Sequence, residues 1–255
     1  MTGVQTCALP IYSLEERWHD EKTQSARRSR IDLYSMGALD LADDCAWTRL
    51  GNVSGKTVVE FGCGGGHHAI RLARQGATVY AFDISLANVQ TARRNVSEGN
   101  LPGRVFVDKM AAEQLAYPDE FADLAFGHSI LHHTDLALTR HQVYRILKPG
   151  GKAVFIEPLG HNPLIRAFRA LTPSRRTPAE RPLRFEDVLF FAEPFSSFCH
   201  SEFYLVTLAA FLLPLRSRKL LRVVWDSLGR VDNILLAHWH GLRKHAWVIV
   251  MELVK

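Results

Sequence analysis

The chain has 255 residues, 47% of them hydrophobic, and its 31 Lys and Arg against 26 Asp and Glu give a formal net charge of +5. That length buries a substantial core and is most simply one α/β domain with additions. No stretch reaches the roughly 18 apolar residues of a membrane span, the best being Phe203 to Leu215, which ends around Pro214. The four cysteines, Cys7, Cys45, Cys63 and Cys199, have neither metal-ligand spacing nor disulfide density, so a reducing, cytoplasmic location is expected.

Residues 1–11 read as the in-frame translation of a common sequencing adapter from a GTG start. They lack the basic n-region and long apolar core of a signal peptide, so they are expected to be an assembly artefact, and Cys7 enters no functional argument. Residues 12–50 then read as an N-terminal helical cap, with Leu33, Met36, Leu39, Leu41 and Trp47 as packing residues.

From residue 51 to 255 the pattern is that of a single domain. Strand Thr57 to Phe61 leads into helix His68 to Arg74, and strand Thr78 to Asp83 into helix Leu86 to Ser97, capped by Ser85. Arg104 to Val107 and Ala122 to Phe126 are short strands, Leu136 to Leu147 is a helix closed by Lys148-Pro149-Gly150-Gly151, and Ala153 to Glu157 is a fifth strand. All five are apolar enough to be buried on both faces, and their alternation with helices predicts a parallel sheet covered by helices. Beyond them the spacing gives a helix over Arg184 to Phe191 and strands over Ser197 to Leu205 and Ala246 to Val254. A helical insertion at about 207–243 carries Leu221, Val224, Leu228, Val231 and Leu235 on one face. Thr172 to Pro182, with three prolines, predicts a mobile loop.

The most informative residues are Glu60-Phe61-Gly62-Cys63-Gly64-Gly65-Gly66-His67-His68, in the turn between the first strand and its helix. Bare backbone there admits a nucleotide-bearing cofactor. The dinucleotide fingerprint G-x-G-x-x-G needs glycine or alanine at position 67, where this chain has His67. Asp83 ends the second strand 21 residues after Gly62, where a carboxylate can accept hydrogen bonds from both hydroxyls of a ribose; a helix-start role is the plainer alternative.

The G-x-G-x-G spacing with an acid two positions earlier resembles motif I of the class I S-adenosylmethionine (SAM) dependent methyltransferases. Downstream, Leu115 to Asp119, Phe121 to Phe126, Leu131-His132-His133 and Arg145 to Gly151 are similar to successive blocks of the type 11 family. The resemblance implies a Rossmann-like, doubly wound seven-stranded sheet of order 3-2-1-4-5-7-6 with the last strand antiparallel, and methyl transfer from SAM. It assigns Glu60, Gly62, Cys63, Gly64 and Gly66 to the methionine and ribose side of the cofactor, Asp83 to the ribose, and Ile84, Met110 and Ala111 to the adenine. His128 would lie near the sulfonium. At Ala111 the chain departs from relatives that carry an Asp there.

Methyl transfer mostly needs acceptor, methyl and sulfur held in line, with a general base where the acceptor is a hydroxyl or amine. His128 and His133 are the candidate catalytic residues, with His132, His161 and Glu157 nearby in sequence; a structural role is the plain alternative for each. The histidine pairs come without H-E-x-x-H or cysteine spacing, and no metal is expected. The expected partner is a small-molecule or lipid-linked methyl acceptor, and not DNA. Residues 161–255 hold 14 Lys and Arg against 8 Asp and Glu; the basic amphipathic stretch there reads first as a helix packed on the sheet with its charges in solvent, next as a lid over the acceptor, and third, with Trp225 and Trp239 nearby, as peripheral contact with an anionic membrane. The same charge is the only support for an RNA methyltransferase, and no RNA-binding module is evident. A non-catalytic SAM-binding regulatory protein is the remaining alternative.

Overall fold

The computed structural model describes residues 15, 16, 18, 20, 39–172, 180–212 and 218–255. Its centre is a seven-stranded sheet in the order β3-β2-β1-β4-β5-β7-β6. The strands are β1 (Thr57–Phe61), β2 (Thr78–Asp83), β3 (Val105–Lys109), β4 (Ala122–His128), β5 (Leu147–Pro158), β6 (Ser197–Phe203) and β7 (Val248–Val254). Strands β1 to β5 pair in parallel, while β7 lies antiparallel between β5 and β6. This is the topology expected from the resemblance.

Strand side chains alternate faces, and two cores follow from that period of two. Val58, Phe126, Val154 and Val250 face one core, while Val59, Ala125, Phe155 and Met251 face the other. Helices α1 (Asp40–Leu50), α2 (His67–Arg74) and α3 (Leu86–Glu98) cover the first face. Helices α4 (Leu136–Ile146) and α6 (Phe185–Ala192) cover the second. Helix α5 (Pro163–Leu171) follows β5 and buries none of its own residues. In the second core Phe155 is fully buried and meets Phe61 and Phe191 edge-on, each with ring centroids 5.7 Å away.

Side-chain caps set several helix starts. Ser85 Oγ accepts from the Asn88 N–H at 3.2 Å for α3, and Asp135 Oδ1 accepts from the Ala137 and Leu138 N–H groups at 3.0 Å for α4. Asn162 Oδ1 does the same for α5.

Up to helix α6 the expectations need four corrections. Strand β3 is an edge strand, not buried on both faces: Phe106 is 41% exposed and Asp108 is also exposed. Lys148 to Gly151 belong to β5, which starts directly after α4 at Leu147. Leu41, expected to pack, is 47% exposed, whereas Leu39 is buried. Helix α5 is not among the expected elements; it is only nine residues long, and Leu164 and Ile165 pack its inner side against the first core while remaining partly exposed. The expectations for residues 1–11, for Leu33 and Met36, and for most of the loop over Thr172 to Pro182 lie outside the described residues.

Beyond β6 the chain turns through a short 3-10 helix, Thr207–Leu212, and helix α7 (Arg218–His238) before β7. Buried Asp232 on α7 accepts from the backbone N–H groups of Leu205, Val206 and Thr207 at 2.8, 2.7 and 3.2 Å, which latches this helix to the end of β6. Trp225, expected at a membrane interface, is instead buried in the core with Tyr204, Leu208 and Ala210, and Val231, expected on the same face as Leu221, Val224 and Leu228, is exposed with Leu220, Val223 and Ile234 on the outward side of α7. Among the described residues no helix is long and apolar enough to cross a membrane.

Removing the Phe155 ring leaves a cavity that the two flanking rings cannot fill. Phe155→Ala is expected to cost about 3–5 kcal/mol in urea denaturation, and Phe106→Ala at the exposed edge well under about 1 kcal/mol.

Candidate active site

The turn from β1 to α2 passes over the carboxyl ends of the strands. Gly62, Gly64 and Gly66 have φ of +67°, +49° and +78°, in the left-handed region that glycine tolerates. A Cβ at Gly62 would stand 2.8 Å from Ile130 Cδ1, so the turn is pressed against the chain leaving β4. A Cβ at Gly64 would meet nothing within 4 Å, so open space lies in front of that backbone. The Cys63 N–H donates to the Phe82 carbonyl at 2.9 Å, which ties the turn to the end of β2.

Asp83 makes the helix-start contacts and also lines the cavity, where the ribose role would place it. Its Oδ2 accepts from the Gly64 N–H at 2.9 Å; Oδ1 accepts from the Ser85 N–H at 2.9 Å and from Asn88 Nδ2 at 3.1 Å. With those bonds made, the carboxylate still lines a cavity together with Gly62, Gly64, Ile84, Met110 and Ile130. Glu60 lies deeper, 2% exposed, and its Oε2 has no hydrogen-bond partner. Burial, with a smaller contribution from the charge of Asp83, pushes the Glu60 carboxyl up to about 8, opposed by the Ala69 N–H it accepts from. Open space before Gly64, an acceptor pair on Asp83 and an unmet buried acceptor on Glu60 fit an adenosine cofactor that bears a cationic amino-acid portion.

The chain leaving β4 closes the far side. Ser129 has a left-handed φ of 57°, uncommon for a residue with a side chain, and its N–H donates to the Ile156 carbonyl at 2.8 Å. The following residues form a 3-10 turn, Leu131–His133, organised by the fully buried Glu157 of β5. Glu157 Oε1 accepts from the Ile130 and Leu131 N–H groups at 2.8 and 2.7 Å, and Oε2 lies 2.7 Å from His132 Nδ1. Burial alone would raise the Glu157 carboxyl, but His132 and the two N–H groups hold it below its ordinary value. Burial in turn lowers His132. Both groups hold the turn together.

The neighbouring His133 lines the cavity, and its Nδ1 lies 3.0 Å from Oε2 of Glu15, a buried N-terminal residue that lines the same cavity. Two further N-terminal acids tie the segment to the ends of β2 and β3: Asp20 Oδ1 accepts from Ser85 Oγ at 2.5 Å, and Glu16 pairs with Lys109.

Other predicted site residues stand elsewhere. Cys63 is buried, which pushes its thiol up, and it does not line the cavity. Ala111 forms a bridge with Gln114, and it is Ala112 that lines the cavity. Nor does His128 line it: its Nε2 lies 3.4 Å from Asp43 Oδ1 beneath α1, and its ring stacks on His68 at 5.4 Å. Burial, then the neighbouring His128, lower His68 to about 4, so it is neutral at physiological pH. His161 sits beside Glu186, 3.9 Å away. Among the described residues no group of three or more His, Cys, Asp and Glu is placed to hold a metal ion.

Sequence reasoning does not reach Glu15, Asn88, Ser129 and Ile130. Asn88 carries a usable signal, one helical turn after the Ser85 cap. Nothing local marks Glu15, which reaches His133 only through the tertiary fold.

Residues 59–155 match the family model described as a methyltransferase domain. A ubiquinone biosynthesis O-methyltransferase of Alkalilimnicola ehrlichii is 34% identical over 135 residues, 52% of this chain and 52% of that protein. An S-adenosyl-L-methionine-dependent Diels-Alderase of Talaromyces variabilis is 38% identical over 109 residues, 41% of this chain and 37% of that protein. The matches thus span less than two thirds of the length of these curated relatives. Among solved structures, geranyl diphosphate C-methyltransferase from Streptomyces coelicolor A3(2) superposes with a TM-score of 0.63 at 12% identity, covering 97% of this chain and 98% of that one. The [4+2]-cyclase SpnF does so with a TM-score of 0.61 at 18% identity, covering 97% of each. These likenesses, at such low identity, speak for the fold.

The raised Glu60 carboxyl gives a pH signature. The folded chain keeps a proton on Glu60 up to about pH 8, whereas the unfolded chain loses it near 4.5. Stability is therefore lost as pH rises through that window. Glu60→Gln carries no such proton, so the stability of wild type relative to this variant is expected to fall by up to about 1.4 kcal/mol per pH unit between pH 5 and 8. Parallel pH dependences in urea denaturation would contradict it.

Proposed function

We propose that this chain, which carries a class I SAM-dependent methyltransferase domain of the type 11 family over residues 59–155, transfers a methyl group from SAM to a small-molecule or lipid-linked acceptor. The observation that carries the reading is the cavity at the glycine turn, where Asp83 holds the Gly64 backbone and still presents its carboxylate.

When bound there, SAM supplies an activated methyl on a good leaving group. The chain's own residues do the rest. Asp83 accepts the ribose hydroxyls, Ile84 and Met110 flank the adenine, and Glu60 answers the cationic end. Because the carboxyl ends of the strands hold these groups before binding, alignment is prepared by the fold. His133 takes the acceptor's proton, and the Glu15 carboxylate, 3.0 Å from its Nδ1, favours the imidazolium that forms. The outward apolar side chains of α7, Leu220, Val223, Val231 and Ile234, offer a lipid-linked acceptor a surface to approach along.

The similarity to a SAM-dependent Diels-Alderase favours a second reading, in which the bound cofactor helps hold a substrate for cyclisation. A proton acceptor in the cavity favours methyl transfer, since closing a ring by cycloaddition removes no proton. Formation of S-adenosylhomocysteine separates the two. With phenolic and prenylated acceptors and methyl-labelled SAM, label is expected to move to product as S-adenosylhomocysteine accumulates. His133→Ala is expected to lower kcat about 100-fold or more with little change in the KM for SAM. Product formed without S-adenosylhomocysteine would favour cyclisation, and no turnover with any acceptor would count against both.

A further inference from the structure

Beside the methyl site lies a second cleft, of about 490 Å³, whose lining includes Arg166, Arg169, Arg181, Arg184 and His161 but no carboxylate. We infer that this cleft is a subsite for a phosphate or diphosphate group carried by the methyl acceptor, an inference that rests on the methyl-transfer reading.

Its walls are rigidly mounted. Arg166 and Arg169 stand one turn apart on α5, so they share a helix face. Opposite them, residues 181–184 run along the end of β5: the Gly160 N–H donates to the Leu183 carbonyl at 2.9 Å, and the Leu183 N–H to the Pro158 carbonyl at 3.1 Å. Gly160 permits that approach, because a Cβ there would stand 3.3 Å from the Pro182 carbonyl oxygen.

The four guanidiniums differ in availability. Arg169 is fixed by Glu180 at 2.5 Å, with both side chains largely buried, and serves as a settled wall. Arg181 and Arg184 reach Asp187 and Glu186 only at 3.4 Å, and their side chains are 73% and 62% exposed. Pairs so long and so exposed contribute little and exchange readily for a better anion. Arg166 has no acidic partner among the described residues.

Ligand class follows from this donor set. One carboxylate offers two oxygens and a single charge, too few for the guanidiniums of Arg166, Arg181 and Arg184 that line the one cleft. A phosphoryl group offers three or more oxygens and up to two charges, and its geometry suits bidentate guanidinium contacts. Position links the cleft to the chemistry: the Arg181 N–H donates to the His132 carbonyl at 3.1 Å, and the next residue, His133, lines the cofactor cavity. The cleft wall is thus joined by backbone to the turn that carries the proposed base.

The test is binding of inorganic pyrophosphate to the full chain by titration calorimetry at low ionic strength. S-adenosylhomocysteine binding is measured on the same samples. Saturable pyrophosphate binding is expected, weakened about tenfold by Arg166→Ala and again by Arg184→Ala, on the scale of one charge-assisted hydrogen bond each. Arg166→Lys is expected to recover part of that affinity, and Arg94→Ala, on α3 outside the cleft, to bind as wild type does. S-adenosylhomocysteine affinity should stay within about twofold throughout, which also shows that each variant is folded. A chain that binds S-adenosylhomocysteine but not pyrophosphate overturns the subsite and leaves the methyl-transfer reading standing. So does binding only to vesicles of phosphatidylcholine and phosphatidylglycerol that is abolished in Arg166→Ala, since the arginines would then serve a lipid surface. Pyrophosphate binding without S-adenosylhomocysteine binding removes the methyl-transfer reading, and the acceptor role of the cleft with it.

Discussion

The hydrogen bond from the Gly64 N–H to the Asp83 carboxylate is the contact on which the site depends. It joins the turn after β1 to the end of β2, the two places where the sheet offers backbone to a nucleotide. A charge-assisted bond of this kind is about twice as strong as a neutral one, and Asp83 is only 7% exposed, so water competes weakly for it. The same carboxylate starts α3 through Ser85 and Asn88. Turn, strand end and helix start therefore share one charge, and a change there loosens all three.

Three buried carboxylates stand at the carboxyl ends of β1, β2 and β5, and their surroundings give them different work. Glu157 is fully satisfied by two N–H groups and His132, stays below its ordinary titration range, and shapes the turn that presents His133. Asp83 is satisfied by backbone and Asn88 yet remains at the cavity wall. Glu60 is buried with one oxygen unmet and so is pushed up to about 8, which makes it the group whose charge a cationic ligand would most change. Identical chemistry, placed at equivalent strand ends, is divided by partners alone.

Much of this was legible in the chain. Apolar runs alternating with helical patterns imply the parallel sheet, and the glycine spacing with Asp83 marks the turn that the structure places at the cavity. Local periodicity could not give the edge position of β3, where alternation of Phe106 with Val105 and Val107 reports exposure on one face only. Nor could it separate the histidines. His128 ends β4 and His133 follows five residues later, but the left-handed Ser129 turns the chain, so one packs under α1 and the other faces the cavity. Glu15 and the arginines of α5 and 181–184 become neighbours of the site only through the tertiary fold, which leaves no mark within any short window of sequence.

Calorimetric titration of S-adenosylhomocysteine into wild type and Asp83→Ala tests the account most directly. One equivalent is expected to bind wild type, and the variant to bind at least about tenfold more weakly, on the scale of one charge-assisted hydrogen bond to the ribose. No binding to wild type, or equal binding to both, would contradict the central claim that the Asp83-anchored glycine turn is the cofactor site.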